Sequence, residues 1–287
     1  MNIKTIMVIG AGLMGRGITE VAANAGYKVL WNDLKPDLVR KGLENIEKSL
    51  ERRVEKKKIT EADKQQIILN LRNNVKIAEN LDSASAADFI IEAIVENLET
   101  KQALFKTLHG LCRSETIFAT NTSALSITAL GKASLRPEQL IGMHFFSPVP
   151  VMALVELIKG VLTSMETCRA ARMVVEKMSK EPVLAPEYPG FIVNRILLAM
   201  LNEALACVME GAKPEDVDKA MKLGCNFPMG PLELLDYTGL DIALAASENI
   251  YAGTGKPYFK PAPLLRNMVA GGLLGRKSGR GFYTYSK

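Results

Sequence analysis

The sequence predicts an α/β fold: a doubly wound, mostly parallel sheet with a helical arm, followed by an all-α C-terminal domain. Three observations carry this. An apolar, β-branched run, Thr5-Ile6-Met7-Val8-Ile9, passes through Gly10-Ala11-Gly12-Leu13-Met14-Gly15 into a helix-like stretch that reaches Ala25. From there to about residue 185, strand-like and helix-like segments alternate, as a parallel sheet with crossover helices requires. Beyond the proline-rich join Ala185-Pro186-Glu187-Tyr188-Pro189-Gly190, only helix signals remain.

The first turn has the spacing G-x-G-x-x-G. Gly10 permits the tight turn, Gly12 lets backbone approach a pyrophosphate, and Gly15 lets the helix pack closely on the strand. The amides at the helix N-terminus then face the anion. A second strand, Tyr27 to Trp31, leads to Asp33, 18 residues past Gly15. An acidic side chain there accepts from the adenosine ribose hydroxyls. It also repels the extra phosphate of NADP, so the site predicted on this Rossmann-like domain is for NAD.

After Asp33, helices are predicted over Asp37 to about Lys58 and Glu61 to Asn73, the second capped by Thr60 with Asp63 three residues on. Two consecutive helices break the alternation and predict the arm. Strands follow at Val75-Ala78, Phe89-Ala93, Thr116-Thr120, Leu140-Met143, Val151-Ile158 and Pro182-Ala185. Helices fall between them at Leu98-Leu111, near Ser126-Leu130, and at Met165-Ser179. Past the join, helices are predicted over Phe191-Glu210, Pro214-Leu223, Pro231-Asn249 and Pro263-Ala270, with Pro214 and Pro231 as first-turn prolines. The expected domains are 1–186 and 187–287, with the cleft between them as the default substrate site.

Bulk properties exclude several classes. The 287 residues suffice for two cores, and the net charge of +5 is too mild to suggest a nucleic-acid protein. Four cysteines without C-x-x-C spacing, and only two histidines, argue against zinc and for free thiols in a reducing compartment. Asn2-Ile3-Lys4 runs straight into a core strand, so no secretory leader is expected. The apolar stretch Ile196 to Met209 is broken by Asn202 and Glu203 and is too short to span a bilayer. A cytoplasmic location, away from membranes, is expected.

A nicotinamide oxidoreductase acting on an alcohol needs a group to accept the hydroxyl proton, and histidine suits this near neutral pH. His109 precedes Gly110 at a helix C-terminus and reads as structural. His144, in Gly142-Met143-His144-Phe145-Phe146-Ser147-Pro148, lies where a strand gives way to a loop, the edge at which open α/β sheets bind ligands. Glu156 is the only charged residue in Val151-Met152-Ala153-Leu154-Val155-Glu156-Leu157-Ile158. A carboxylate in such a run is costly unless paired, and a partner imidazole would have its tautomer fixed in return. Ser123, after a strand, and Asn194, at the domain join, are candidate groups for the reacting oxygen. The cluster Arg52, Arg53, Lys56, Lys57 and Lys58 is either a solvated helix face or a landing surface for an anionic handle such as the phosphates of coenzyme A. From the residues alone, a dehydrogenase of a free hydroxy acid or sugar acid stays open, as does a non-catalytic NAD-binding protein.

Assembled in order, Gly10-Ala11-Gly12-Leu13-Met14-Gly15, Val95-Glu96-Asn97, Asn121-Thr122-Ser123, Gly142-Met143-His144-Phe145-Phe146, Pro189-Gly190-Phe191-Ile192-Val193-Asn194-Arg195, Pro228-Met229-Gly230-Pro231 and Gly275-Arg276-Lys277-Ser278-Gly279 resemble the L-3-hydroxyacyl-CoA dehydrogenases over essentially the whole chain. The likeness is greatest to the bacterial short-chain members that act on 3-hydroxybutyryl-CoA. It implies NAD-dependent, reversible oxidation of an (S)-3-hydroxyacyl-CoA to the 3-oxoacyl-CoA. It further implies His144 as base with Glu156 as partner, Ser123 and Asn194 on the substrate, and Glu96, Lys101 and Lys277 near the nicotinamide half. Leu13, Met14, Ser123 and Ser147 join the cofactor contacts. Ser49, Arg52 and Lys56 join the coenzyme A contacts, and the helical domain forms a homodimer. Two positions depart from the family pattern. Ser147 stands where an asparagine usually hydrogen-bonds near the nicotinamide, and Ala153 stands where a lysine is common.

Overall fold

The computed structural model describes residues 2–285, which divide into two compact units, one through Glu187 and the other from Tyr188 onward. In the first unit, β1 (Thr5–Ile9) and α1 (Leu13–Asn24) flank the glycine turn. β2 (Lys28–Asn32) then leads to two consecutive helices, α2 (Pro36–Glu55) and α3 (Glu61–Asn74). The rest of the unit runs β3 (Val75–Ile77), β4 (Phe89–Glu92), α4 (Leu98–Leu111), β5 (Ile117–Thr120), α5 (Ile127–Ala133), β6 (Leu140–Phe145), β7 (Leu154–Lys159), α6 (Met165–Lys177) and β8 (Glu181–Pro186).

Among the described residues the sheet has eight strands in the order β3-β2-β1-β4-β5-β6-β7-β8. Neighbours are parallel except β6 and β7, which are antiparallel. The chain runs outward from β1 in one direction and from β4 in the other, so a switch point lies between these two strands, where open α/β sheets form their ligand crevice. The strands are apolar because helices cover both faces. Ile6, Val8, Phe89, Ile91, Phe118 and Ile141 are all fully buried.

The two consecutive helices are docked rather than free. Val39, Ile46 and Leu50 of α2 are buried, Arg53 donates to Glu20 of α1 at 2.6 Å, and Asn74 of α3 donates to the carbonyl of Ala23 at 2.9 Å. The tip, from Lys56 to Thr60, joins the two helices. Thr60 closes a capping box there: its hydroxyl accepts from the Asp63 amide, and its own amide donates to the Asp63 carboxylate. Trp31, fully buried, fills the space beside Gly42 and donates its indole N–H to the Gly10 carbonyl at 2.9 Å. The core thereby holds the glycine turn in place.

The second unit is helical: α7 (Val193–Met209), α8 (Pro214–Cys225), α9 (Pro231–Thr238), α10 (Leu240–Thr254) and α11 (Pro263–Ala270). Its core is built from Leu198, Leu201, Leu205, Leu232, Leu235, Ile250, Phe259 and Leu265. Two expectations need correction. The single helix over Pro231-Asn249 is two, because Gly239 has φ +102°, outside any α-helix. The helix expected from Phe191 starts at Val193, since Phe191 itself has φ +48°. The tail is tied in through Asp236, whose carboxylate accepts from the Phe282 and Tyr283 amides at 2.9 Å and from the Tyr285 hydroxyl at 3.0 Å. Burial, reinforced by that bond, pushes the Tyr285 hydroxyl up to about 12. No helix among the described residues is long and apolar enough to cross a membrane. The four cysteines are free thiols.

Candidate active site

The carboxyl edge of the sheet collects the polar chemistry of the first unit. At β1, a Cβ on Gly10 would lie 2.4 Å from the Ala93 carbonyl oxygen, and one on Gly15 would lie 1.9 Å from that of Gly10. Only glycine fits at either position. A Cβ on Gly12 would meet nothing within 4 Å, so the space in front of the turn is open. No side chain caps the N-terminus of α1, which leaves its first amides to an incoming anion. Asp33, at the end of β2, accepts from the Ala11 amide at 2.5 Å and from the Leu34 amide at 2.7 Å. Its carboxylate thus adjoins the turn it was expected to serve. Leu13, Leu34 and Val95 stand exposed around this edge, Leu34 at 95%. Apolar side chains beside a carboxylate and an uncapped helix start fit a dinucleotide, whose rings would cover the former and whose pyrophosphate would meet the latter.

His144 lies inside β6, one residue before its end, and Glu156 is directly opposite it on β7. Residues opposite each other in an antiparallel pair send their side chains to the same face. His144 Nδ1 is 2.8 Å from Glu156 Oε2, with Glu156 fully buried and His144 nearly so. An ionised carboxylate only accepts, so a pairing of this kind would place the imidazole proton on Nδ1. Asn121, at the end of β5, accepts from the Phe145 amide at 2.9 Å and pins β6 beside the histidine. Ser147 follows in an exposed loop through a cis Ser147–Pro148 bond.

Between these two features, at the ends of β4 and β5, lies a group only half foreseen. Lys101 of α4 is fully buried, its ammonium 2.5 Å from Glu92 and 3.3 Å from Glu96. Glu92, also fully buried, accepts further from the Ile94 amide at 2.7 Å and the Thr120 hydroxyl at 2.5 Å. Glu96 accepts from the Thr122 hydroxyl at 2.5 Å and the Ser123 amide at 2.8 Å, with the Ser123 hydroxyl at 3.3 Å. Glu96, Lys101 and Ser123 are therefore together. Glu92 and Asn121 were passed over, although Glu92 is the only charged residue in Phe89-Ile90-Ile91-Glu92-Ala93-Ile94-Val95. The signal that marked Glu156 was present there too.

The basic cluster is not one surface. Arg53 is turned onto Glu20, whose carboxyl is pushed up by burial and drawn back by that guanidinium. Ser49 and Arg52 line a cavity of about 260 Å³ with Arg16, Lys48 and Pro148. Lys56, at the end of α2, is exposed and is not among that cavity's lining. Asn194 and Lys277 belong to the second unit, Asn194 in the first turn of α7 and Lys277 ion-paired with Asp241 at 2.5 Å. His109 is structural, as read: its carbonyl accepts from Arg136 at 3.0 Å, and its ring nitrogen lies 3.3 Å from the same guanidinium.

Residues 5–188 match the family described as 3-hydroxyacyl-CoA dehydrogenase, NAD binding domain, and residues 190–285 match its C-terminal domain. The chain belongs to the 3-hydroxyacyl-CoA dehydrogenase family. It is 49% identical to a Bacillus subtilis protein named "Probable 3-hydroxybutyryl-CoA dehydrogenase", over 100% of this chain and 99% of that one. It is 44% identical to the 3-hydroxybutyryl-CoA dehydrogenase of Bradyrhizobium diazoefficiens, over 99% of this chain and 96% of that one. The crystal structure of the (S)-3-hydroxybutyryl-CoA dehydrogenase from Ralstonia eutropha aligns over 100% of both chains with a TM-score of 0.92 and 45% identity. A 3-hydroxyacyl-CoA dehydrogenase is an oxidoreductase, and the family's NAD-binding domain coincides with the first unit. The glycine turn, Asp33 and the uncapped start of α1 are the residues that would hold NAD.

Proposed function

We propose that this 3-hydroxyacyl-CoA dehydrogenase oxidises (S)-3-hydroxybutyryl-CoA, reversibly, to the 3-oxoacyl-CoA, with His144 as the base. The reading rests on the 2.8 Å contact between His144 Nδ1 and Glu156. Nε2 takes the hydroxyl proton as the carbonyl forms, and Glu156 stabilises the imidazolium that results. NAD, when bound, supplies the acceptor for the hydride leaving C3. In reduction, the imidazolium returns its proton to the 3-oxo oxygen. Ser123 and Asn194 hydrogen-bond the substrate's oxygens. Ser147 and Lys277 attend the nicotinamide half, a role in which serine is a shorter reach than the asparagine usual in the family.

Ser49, Arg52 and Lys56 receive the anionic end of coenzyme A. The cavity beside Ser49 and Arg52, with Arg16 and Lys48 on its wall, supports this. Neutralising Arg52 and Lys56 together is expected to raise KM for the acyl-CoA and to spare NAD affinity. An equal effect on both ligands would argue for general destabilisation instead.

We also propose a cytoplasmic homodimer joined through the helical unit. Ile196 and Met209 of α7 and Ile242 of α10 are exposed apolar side chains of the kind a subunit contact covers. Sedimentation equilibrium tests the dimer. The activity is tested by NADH oxidation with acetoacetyl-CoA, comparing wild type with His144→Ala. Undiminished turnover in the variant would overturn the assignment of the base, and failure of the wild type on every acyl-CoA would overturn the substrate.

A further inference from the structure

Glu92, Lys101 and Glu96 form a closed charge group at the carboxyl ends of β4 and β5. Two carboxylates share one ammonium, so the group carries a single net negative charge. Lys101 and Glu92 have no exposed side-chain surface, whereas Glu96 is 39% exposed. The buried half is anchored by the Ile94 amide and the Thr120 hydroxyl, the exposed half by the Thr122 hydroxyl and the Ser123 amide. Such anchoring makes this a fixed charge rather than a mobile surface one, and water screens it incompletely.

Its position gives it a use. Asp33 marks the adenosine end at β2, and the glycine turn at β1 takes the pyrophosphate. His144, on β6, marks where the hydroxyl proton leaves on the reading proposed above, on which this inference rests. A dinucleotide joining the two ends must pass the ends of β4 and β5. The loop carrying Ile94 abuts Gly10 directly, since a Cβ on that glycine would lie 3.2 Å from the Ile94 nitrogen. The reacting ring differs between the two forms of the cofactor by one positive charge, carried only by the oxidised form.

We infer that the Glu92–Lys101–Glu96 group is an electrostatic selector that favours oxidised over reduced nicotinamide in the cofactor site. Lys101 acts in this as a positioning residue for the two carboxylates. It holds two carboxylates at one place and cancels one of them, which sets the strength of the selection at one charge. A simple buried ion pair would add nothing to it, because a pair has no net charge. The unbalanced carboxylate does the selecting.

The test is the ratio of dissociation constants, NAD over NADH, measured without substrate by calorimetry for NAD and by nucleotide fluorescence for NADH. Glu96→Gln keeps the buried pair and removes the net charge, so the ratio should rise about three- to tenfold, the effect of one partly screened charge. The double variant Glu92→Gln/Lys101→Met removes the whole buried pair but leaves the single charge of Glu96. Its ratio should stay within about twofold of wild type. A merely structural role predicts the reverse ranking, with the double variant the more perturbed. An unchanged ratio in Glu96→Gln, or a shift in the double variant as large as in the single one, would overturn the inference. Because neither titration contains acyl-CoA, a failure of the proposed substrate would leave these outcomes readable.

Discussion

Glu156 and Glu92 are both fully buried carboxylates on strands of one sheet, yet they hold different kinds of partner. Glu156 meets an imidazole, a ring with two nitrogens that can hold or pass on a proton. Glu92 meets an ammonium, which only donates. The first pair is thus suited to moving a proton and the second to keeping a charge still. Burial is common to both, so it does not distinguish them; the chemistry of the partner does. Neighbours follow the same division. Around Glu92, an amide and a hydroxyl donate to the carboxylate and lock it. Beside His144, Asn121 accepts from the strand backbone, at the Phe145 amide.

The contrast can be broken in order of effect. His144→Ala should lower kcat roughly 10²–10⁴-fold, measured with acetoacetyl-CoA and NADH, with the fold intact by circular dichroism. Glu92→Ala should instead act on stability, by about 1–3 kcal/mol in urea denaturation, because it leaves the buried ammonium with the half-exposed Glu96 as its remaining carboxylate and the Ile94 amide and Thr120 hydroxyl without their acceptor. A Glu92→Ala protein as stable as wild type would mean that Glu96 alone satisfies Lys101. Glu156→Gln keeps shape and removes charge, and should cost roughly 10–10³-fold in kcat with little change in KM for NAD. A loss confined to KM would move Glu156 out of the proton-accepting pair.

Asp88, at the opposite edge of the sheet, calibrates the scale. Burial raises its carboxyl, but the Thr5 and Lys4 amides and the Arg113 guanidinium outweigh that and hold it below its usual value. A carboxyl lowered in the folded state stabilises above the unfolded pKa, about 4, and that stabilisation is lost as pH falls through the folded value. Asp88→Asn should therefore flatten the acid limb of the stability curve and leave stability at neutral pH only slightly reduced. This is the smallest expected effect, read as a shift in the acid midpoint.

Much of this was legible in residues. The glycine spacing, the strand runs and the switch to helices at 185–190 each follow from local geometry, and so did the isolation of Glu156 in an apolar strand. The partnership of His144 with Glu156 was readable because both lie in consecutive strands. Glu92 needed α4 to be folded back over β4 before its partner could be seen, and Asn121 needed the β5–β6 pairing. The break at Gly239 was hidden because Leu232, Leu235, Leu240 and Ala243 continue the apolar periodicity on both sides of it. Arg53 looked like its basic neighbours in sequence; only the docking of α2 on α1 turns it inward to Glu20. Side chains that act across packed elements are the ones a linear reading loses.

The antiparallel pairing of β6 and β7 has a consequence for how the chain tolerates change. His144 and Glu156 meet because β6 and β7 pair in a single register, with residues 146–153 as the connection between them. Side chains alternate faces at each step along a strand, so a one-residue slip of β7 against β6 would carry Glu156 to the other side of the sheet. Both residues would still be present and both strands could still form. For this enzyme, then, a one-residue deletion within β7 ahead of Glu156 is expected to cost as much activity as replacing Glu156 itself, whereas the connection over 146–153 can absorb a change of one residue.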